Sequence, residues 1–179
     1  MPDKKPPKIS AKVDAFRSPW MSVSEKTVDF GDGRPAENYY SVRVPDYVVI
    51  FAVTESGLIP IIRQYRPAVE QFTYEFPAGT IDKGETAEQA CRRELLEETG
   101  LVATKVVNLG IGIPDSGRLQ NRQHSFYVVT NNPGPAFKGE PGLEVEYWTR
   151  AQLNERILDG TFAHHLHLSV VLLAQLRIK

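Results

Sequence analysis

The alternation of apolar and polar positions predicts most of the framework of this chain. A continuous apolar run at Tyr47–Thr54 is typical of a buried strand, and Ser56-Gly57 turns the chain into a partner strand at Leu58–Tyr65. Looser patterning predicts five further strands: Trp20–Phe30, Tyr39–Val44, Val102–Ile113, Arg122–Thr130 and Leu143–Thr149. Residues 1–12 are basic and rich in proline, and they are predicted to be a flexible tail.

The clearest predicted helix covers Thr86–Thr99. Thr86 can cap its first turn, with Gln89 as the capping-box partner three residues later. Gly100 stands where a left-handed residue would end the helix. Both ends of this helix are therefore defined by the sequence.

The order of the elements predicts the fold class. Two closing helices are expected at Ala151–Leu158 and His165–Ile178. Strands with one long internal helix and helices at the end predict an α/β protein, a mixed α/β sandwich. No repeat and no second domain is evident, so residues 13–179 are expected to form a single domain.

Composition and charge exclude several classes of protein. The formal net charge of −1 gives no signature of nucleic-acid binding. The longest apolar runs, such as Tyr47–Val53, are far too short to span a membrane, and no signal-peptide core follows the basic start. Cys91 is the only cysteine, so no intrachain disulfide can form and a reducing, cytoplasmic compartment is expected.

Three carboxylates share one stripe of the Thr86–Thr99 helix. At about 100° per residue, a small apolar stripe continues through three acids: Glu94, Glu97 and Glu98. Charged helix residues usually form a solvated face, and Leu95 and Leu96 lie outside the stripe, so the wheel alone does not settle which side is inward. Clustered acids repel, however, and a hard divalent cation that takes oxygen ligands relieves that repulsion. We therefore expect a metal site, with Glu94 and Glu98 as the strongest ligand candidates.

Neighbouring residues suggest supporting roles. Arg93 stands four residues before Glu97 and can reach back to Glu85, either as a surface ion pair or as part of the site. We count Arg93 and Glu97 as candidate catalytic residues. Glycines before the helix allow a tight loop, from which the carbonyl of Ala78 is a further candidate metal ligand.

The segment from Gly79 to Leu101, GTIDKGETAEQACRRELLEETGL, resembles the Nudix box. That pattern is G, five residues, E, seven residues, R-E, an aliphatic residue, any residue, E-E, any residue, G and an aliphatic residue. Every position is satisfied here: Gly79, Glu85, Arg93, Glu94, Leu95, Glu97, Glu98, Gly100 and Leu101. The resemblance implies a Nudix-type α/β/α sandwich with a mixed β-sheet. It also implies diphosphate hydrolysis with Mg²⁺, or sometimes Mn²⁺, held by the box glutamates.

The residues before the box resemble one subfamily. Arg63-Gln64-Tyr65-Arg66 and the later Tyr74–Gly79 are similar to the RQYR and E-x-PAG patterns of ADP-ribose and related ADP-sugar pyrophosphatases. This implies hydrolysis of ADP-ribose to AMP and ribose 5-phosphate. Residues 113–124 depart from the subfamily's S-P-G loop, so GDP-mannose and other nucleotide sugars stay open. A non-catalytic nucleotide-binding module is the alternative of a different class, whereas a sanitiser of oxidised nucleoside triphosphates is disfavoured by these flanks.

Four side chains are candidates for substrate binding. Arg66 can grip phosphate oxygens, or it is a surface arginine. Glu75 binds a substrate hydroxyl or pairs with an arginine. Trp20 stacks on adenine, as aromatic residues do in similar dimeric enzymes, or it is a core or interface residue. Arg118 contacts a terminal phosphate or sugar, or merely belongs to a loop.

The general base and the partners complete the predictions. Glu140, in a loop rich in proline and glycine, is the first candidate for the base, and Glu144 is the second. The partner is a small nucleoside diphosphate, with no nucleic acid or membrane. The N-terminal strands, within residues 13–45, are expected to form a β-strand extension that contributes to a homodimer. The histidines near the start of the last helix, His164, His165 and His167, are assigned to helix-end or packing roles instead of a metal site.

Overall fold

The computed structural model describes residues 5–134, 137 and 139–178, and it divides into two compact units. The smaller unit contains the N-terminal segment up to Pro45 together with Ile113–Arg122, and the larger unit contains the rest. The sequence pattern, which predicted one domain over residues 13–179, did not separate these units. They differ because the N-terminal strands pair with one another and do not join the sheets of the larger unit.

The smaller unit is built on an antiparallel sheet of order β1-β2-β3. Its strands are β1 (Lys8–Arg17), β2 (Ser22–Asp29) and β3 (Glu37–Arg43). The second segment of this unit lies along β3, where the Val42 N–H donates to the Arg118 carbonyl at 2.8 Å and the Gln120 N–H donates to the Val42 carbonyl at 3.0 Å. This unit contains the predicted β-strand extension.

Strand β1 corrects the prediction of a flexible tail. It begins at Lys8, so that prediction is wrong for residues 8–12, while residues 1–4 lie outside the described part of the chain. All ten residues of β1 are exposed. The strand is held by backbone pairing with β2, from Lys8 opposite Asp29 to Arg17 opposite Ser22. Without a buried face, its sequence carries no clear period-two signal.

In the part of the larger unit that the structure describes, there are two sheets and three helices. A mixed sheet of order β7-β4-β9-β8 is formed by four strands: β4 (Tyr47–Thr54), β7 (Ala78–Thr80), β8 (Ala103–Gly112) and β9 (Gln123–Thr130). An antiparallel sheet of order β10-β5-β6 is formed by three: β5 (Ile59–Arg66), β6 (Gln71–Glu75) and β10 (Leu143–Trp148). The helices are α1 (Ala87–Thr99), α2 (Arg150–Leu158) and α3 (His165–Arg177). Among the described residues, none of the helices is long and apolar enough to cross a membrane.

Strand β4 is buried on both faces and organises the larger unit. Val49 and Phe51 belong to a core that includes residues of α2 and α3. Val48 and Ile50 belong to the other core, which includes residues of α1. Because successive side chains of a strand point to opposite faces, one apolar run supplies both cores. The result is the α/β/α sandwich with a mixed sheet that the sequence predicted.

Candidate active site

Helix α1, which carries the predicted metal ligands, is fixed at both ends. The Gln89 N–H donates to Thr86 Oγ1 at 3.2 Å, and the Thr86 N–H donates to the Gln89 side chain at 2.8 Å. Gly100 adopts φ 69° and ends the helix in the left-handed conformation. The predicted capping box and C-terminal glycine are both present. They define where α1 begins and ends.

The structure shows which side of α1 faces the protein interior, a question that the helical wheel left open. Leu95 is buried and Leu96 is exposed. Glu94 and Glu98 lie on the inward side, where the Glu94 side chain is 13% exposed and Glu98 is 7% exposed. Glu97 lies at the margin, with 45% of its side chain exposed. Two of the three predicted carboxylate ligands are thus largely enclosed by protein.

Glu98 is the most strongly perturbed of these acids. Burial raises its pKa to about 8, and the carboxylates of Glu94 and Glu140 shift it in the same direction. The Ala78 N–H donates to Glu98 Oε2 at 3.0 Å, which opposes the rise only in part. The segment before α1 therefore contacts the helix through the N–H of Ala78. Ala78 is also the residue whose carbonyl was predicted as a metal ligand.

Gly79 packs directly against Glu94. A Cβ atom at Gly79 would clash with the carboxyl carbon and both carboxylate oxygens of Glu94. Burial raises the pKa of Glu94, and the carboxylates of Glu97 and Glu140 add to the rise, although Arg93 lowers it. The glycine that opens the box motif is thus required by the close approach of a carboxylate.

Arg93 connects the acids of the site. Its guanidinium donates to both oxygens of Glu85 at 2.9 Å, to Glu94 at 2.7 Å and to Glu97 at 3.0 Å. It also donates to the Thr80 carbonyl at 2.9 Å. The predicted pairings with Glu85 and Glu97 are both present. Arg93 holds the loop before α1 against the helix, and it orients two of the predicted ligands.

The cluster fits a hard divalent cation. Its donors are the carboxylate oxygens of Glu94, Glu97 and Glu98, together with the backbone of the Ala78 loop, and oxygen is the donor that Mg²⁺ prefers. Burial raises the pKa of Glu98, and the opposing effects of the Ala78 N–H and Arg66 leave part of the compensation of its negative charge unmet. A bound cation would supply that compensation.

Arg66 and Glu75 form a bidentate ion pair beside this cluster. Arg66 donates to Glu75 through Nε at 2.9 Å and Nη2 at 2.6 Å, and the Thr73 hydroxyl adds a third bond at 2.6 Å. Burial opposes ionisation of Glu75, but these bonds outweigh it and lower the pKa to about 2. The structure favours the arginine-pairing alternative for Glu75, since both of its oxygens are engaged. Arg66 remains 43% exposed. The bonds to Glu75 are the main cause of its raised pKa, and the charge of Glu98 adds to the rise.

The structure places His164 and His167 close to Glu75, and the sequence did not predict this proximity. One ligand-type atom from each of Glu75, His164 and His167 lies within 4.8 Å of the others. However, His167 Nδ1 accepts the Phe76 N–H at 2.9 Å, so the ring proton is on Nε2 and that nitrogen is not a free ligand. The ring of His167 is buried, as the predicted packing role requires. Its link to Phe76 spans 91 residues, and no local pattern indicates it.

The two candidates for the general base differ in their surroundings. Glu140 is exposed, and its charge contributes to the raised pKa of both Glu94 and Glu98. Glu144 lies on β10 and accepts a bond from Arg63 at 2.8 Å. Because Glu144 is already paired, this geometry favours Glu140.

The remaining predicted contacts, Trp20 and Arg118, belong to the smaller unit. Trp20 is 82% exposed, which excludes the core alternative within this chain. The Arg118 side chain is also 82% exposed, and its guanidinium lies 3.7 Å from Asp115. Both side chains are available to a ligand or a partner.

Comparisons with known proteins agree with the fold and the box. The model of the NUDIX domain matches residues 43–165, which is more than half of the chain. The crystal structure of an ADP compounds hydrolase superposes with a TM-score of 0.81, covering 96% of this chain and 93% of that one, at 22% sequence identity. The fold and site thus define an α/β/α sandwich with a carboxylate cluster on one helix. More particularly, the chain belongs to the Nudix family.

Two curated relatives match over much of the chain. The ADP-ribose pyrophosphatase of Bacillus subtilis is 33% identical over 119 residues, which cover 66% of this chain and 64% of that protein. The ADP-ribose pyrophosphatase of Mycobacterium tuberculosis is 41% identical over 130 residues, which cover 70% of this chain and 62% of that protein. The chain therefore matches a little under two thirds of the length of each relative.

Proposed function

We propose that this protein is a Mg²⁺-dependent pyrophosphohydrolase of nucleoside diphosphate sugars. ADP-ribose is the first candidate substrate, with AMP and ribose 5-phosphate as products. The proposal depends chiefly on one observation, which is that Glu94 and Glu98 face inward from one helix and that the charge of Glu98 acts on the nearby guanidinium of Arg66. Membership of the Nudix family, whose hydrolases generally use divalent metal ions, supports it. The names of the two relatives support the substrate class.

The box glutamates would hold the metal. Glu94, Glu97 and Glu98 are the proposed ligands together with the carbonyl of Ala78, and Mn²⁺ is a plausible substitute for Mg²⁺ because it accepts the same oxygen donors. A bound divalent ion neutralises diphosphate charge and lowers the pKa of water. Arg93 keeps the acids oriented through the bonds described above.

Two further groups act on the substrate in this proposal. Arg66, which Glu75 holds in a fixed orientation, grips the diphosphate oxygens. Glu140 takes the proton of the attacking water as general base. The bond to the bridging oxygen then breaks, and that oxygen leaves with the other phosphate. The positive charge of Arg66 stabilises the negative charge that develops on the phosphate oxygens.

The smaller unit is proposed to serve specificity and assembly. The exposed ring of Trp20 would stack on the nucleobase, and Arg118 would contact the terminal phosphate or sugar. We also propose a homodimer to which the N-terminal strands contribute. Cytoplasmic location is supported by Cys91, which is buried and free.

The experiment that tests this function measures product formation with Mg²⁺ from a panel of substrates. The panel contains ADP-ribose, ADP-glucose, GDP-mannose, NADH, diadenosine polyphosphates and 8-oxo-dGTP. We expect preference for ADP-ribose, or for another nucleotide sugar, and loss of activity when EDTA removes the metal. Preference for 8-oxo-dGTP would contradict the substrate class. Turnover of no panel member would support a non-catalytic nucleotide-binding module on the same fold.

A further inference from the structure

A buried histidine of α3 fixes the segment that leads into the box. His167 is 2% exposed, and its Nδ1 accepts the Phe76 N–H at 2.9 Å. Its ring stacks on that of Phe76, with the centroids 5.9 Å apart and the planes at 10°. Phe76 lies between the last residue of β6 and the first residue of β7. The bond therefore holds this connection from a distant part of the chain.

The segment held by His167 carries two contacts of the proposed site. At Glu75, its first residue, the carboxylate binds Arg66 at 2.9 and 2.6 Å. At Ala78, its last residue, the N–H donates to Glu98 at 3.0 Å. A displacement of Phe76 would thus move the phosphate-binding arginine and a proposed metal ligand together.

The imidazole ring of His167 can act as a hydrogen-bond acceptor throughout the neutral pH range. Burial lowers the pKa of His167 to about 3, with the neighbouring His164 adding to the effect. The ring is therefore neutral near pH 7, and Nδ1 keeps its lone pair for the Phe76 N–H. If that acceptor were lost, a backbone N–H would be left unpaired inside the protein, which is costly.

We propose that His167 is a positioning residue for hydrolysis, because it sets the segment from Glu75 to Ala78 and thereby the geometry of Arg66 and Glu98. This inference rests on the proposed function, since both groups are parts of that site. A role in packing alone would be fulfilled by an apolar side chain of similar volume. Positioning requires an acceptor at the place of Nδ1.

The test compares two substitutions that differ in this respect. His167→Asn offers a side-chain oxygen near the place of Nδ1, whereas His167→Leu fills space without accepting a bond. The exposed neighbour supplies a matched control, His165→Leu. We expect His167→Leu to lower kcat/KM for the preferred substrate about 100-fold, the scale of a small misplacement of catalytic groups. His167→Asn should recover most of that loss, and the control should match wild type.

Two measurements do not depend on turnover. We expect His167→Leu to increase hydrogen exchange at the Phe76 amide and to weaken Mn²⁺ binding, followed by the electron paramagnetic resonance signal of free Mn²⁺. Equal activity losses in His167→Leu and His167→Asn, with unchanged exchange and Mn²⁺ binding, would overturn the proposal. If His167→Leu does not fold, His167→Asn decides, since a folded but inactive Asn variant contradicts the role. If wild-type protein hydrolyses nothing, the proposed function fails, while exchange and Mn²⁺ binding still test His167.

Discussion

Glu98 is an acid that is buried beside other carboxylates, and this defines the first prediction. Glu98→Gln keeps an acceptor for the Ala78 N–H but removes the charge that a cation needs. Because loss of even an outer-shell partner costs about 10- to 100-fold in metal affinity or activity, we expect activity to fall at least 100-fold in a folded protein. The measurement is kcat/KM at fixed Mg²⁺, with circular dichroism as the folding check. Glu88→Gln, at an exposed position of the same helix, is the matched control, and full activity of Glu98→Gln would remove Glu98 from the ligand set.

Glu140 and Glu144 can be distinguished by paired substitutions. If Glu140 is the base, Glu140→Gln should lower kcat by about 10²- to 10⁴-fold, the usual contribution of general base catalysis, with little change in substrate affinity. Glu144→Gln should leave kcat near wild type, because that carboxylate is occupied by Arg63. Steady-state kinetics on both variants measures this. The opposite ranking would transfer the role to Glu144.

The Arg66–Glu75 pair predicts a pH dependence of stability. The pKa of Glu75 is lowered from 4.5 to about 2 in the folded protein, so the pair stabilises the fold at pH values above the unfolded pKa. That contribution should decline as the pH falls from about 4.5 through about 2. Denaturant unfolding of wild type and Glu75→Gln across this range should show the difference in unfolding free energy shrinking. A difference that does not change with pH would contradict this assignment.

Among the elements, α1 depends on its N-terminal cap. Thr86→Ala removes the acceptor of the Gln89 N–H, and such losses typically cost about 1 kcal/mol of stability. Thr86→Ser retains the hydroxyl and should lose much less. Thermal and denaturant unfolding would measure both variants. Equal losses for alanine and serine would show that the methyl group of Thr86, and not the cap, is responsible.

The elements also show what local patterns can predict. Strand β4 was predicted at its observed bounds because its apolar run records burial on both faces. Strands β6 and β7 were not predicted as strands. They are short, with five and three residues, and β7 is held by backbone pairing with β4. Strand β1 was missed because none of its residues is buried.

In the candidate site too, some features follow from local sequence patterns and others depend on contacts between distant elements. The box acids and Arg93 follow one local spacing, so the sequence identified them as candidates and predicted the pairing of Arg93 with Glu85 and Glu97. The inward direction of Glu94 and Glu98 depends on how α1 packs on the sheet, which the wheel could not give. The bond from Phe76 to His167 joins elements 91 residues apart, and the sequence contains no local signal for such a contact.

At the scale of the whole molecule, the proposed homodimer predicts the mass of the protein in solution. Strand β1 exposes apolar side chains at Ile9, Val13 and Phe16, which favour burial against a second copy. We expect light scattering to give twice the chain mass of 20.1 kDa. Removal of residues 1–17 should shift the mass towards that of one chain. A mass of one chain at every concentration would contradict the proposal.

The smaller unit is assembled from two stretches that are far apart in the chain. Ile113–Arg122 connects β8 to β9, and it pairs with β3 through Val42. A recombination event that exchanged only the first 45 residues would thus leave Ile113–Arg122 without the β3 strand with which it pairs. The two stretches are expected to be inherited together, so this unit is not a module that evolution or an engineer can transfer with a single junction.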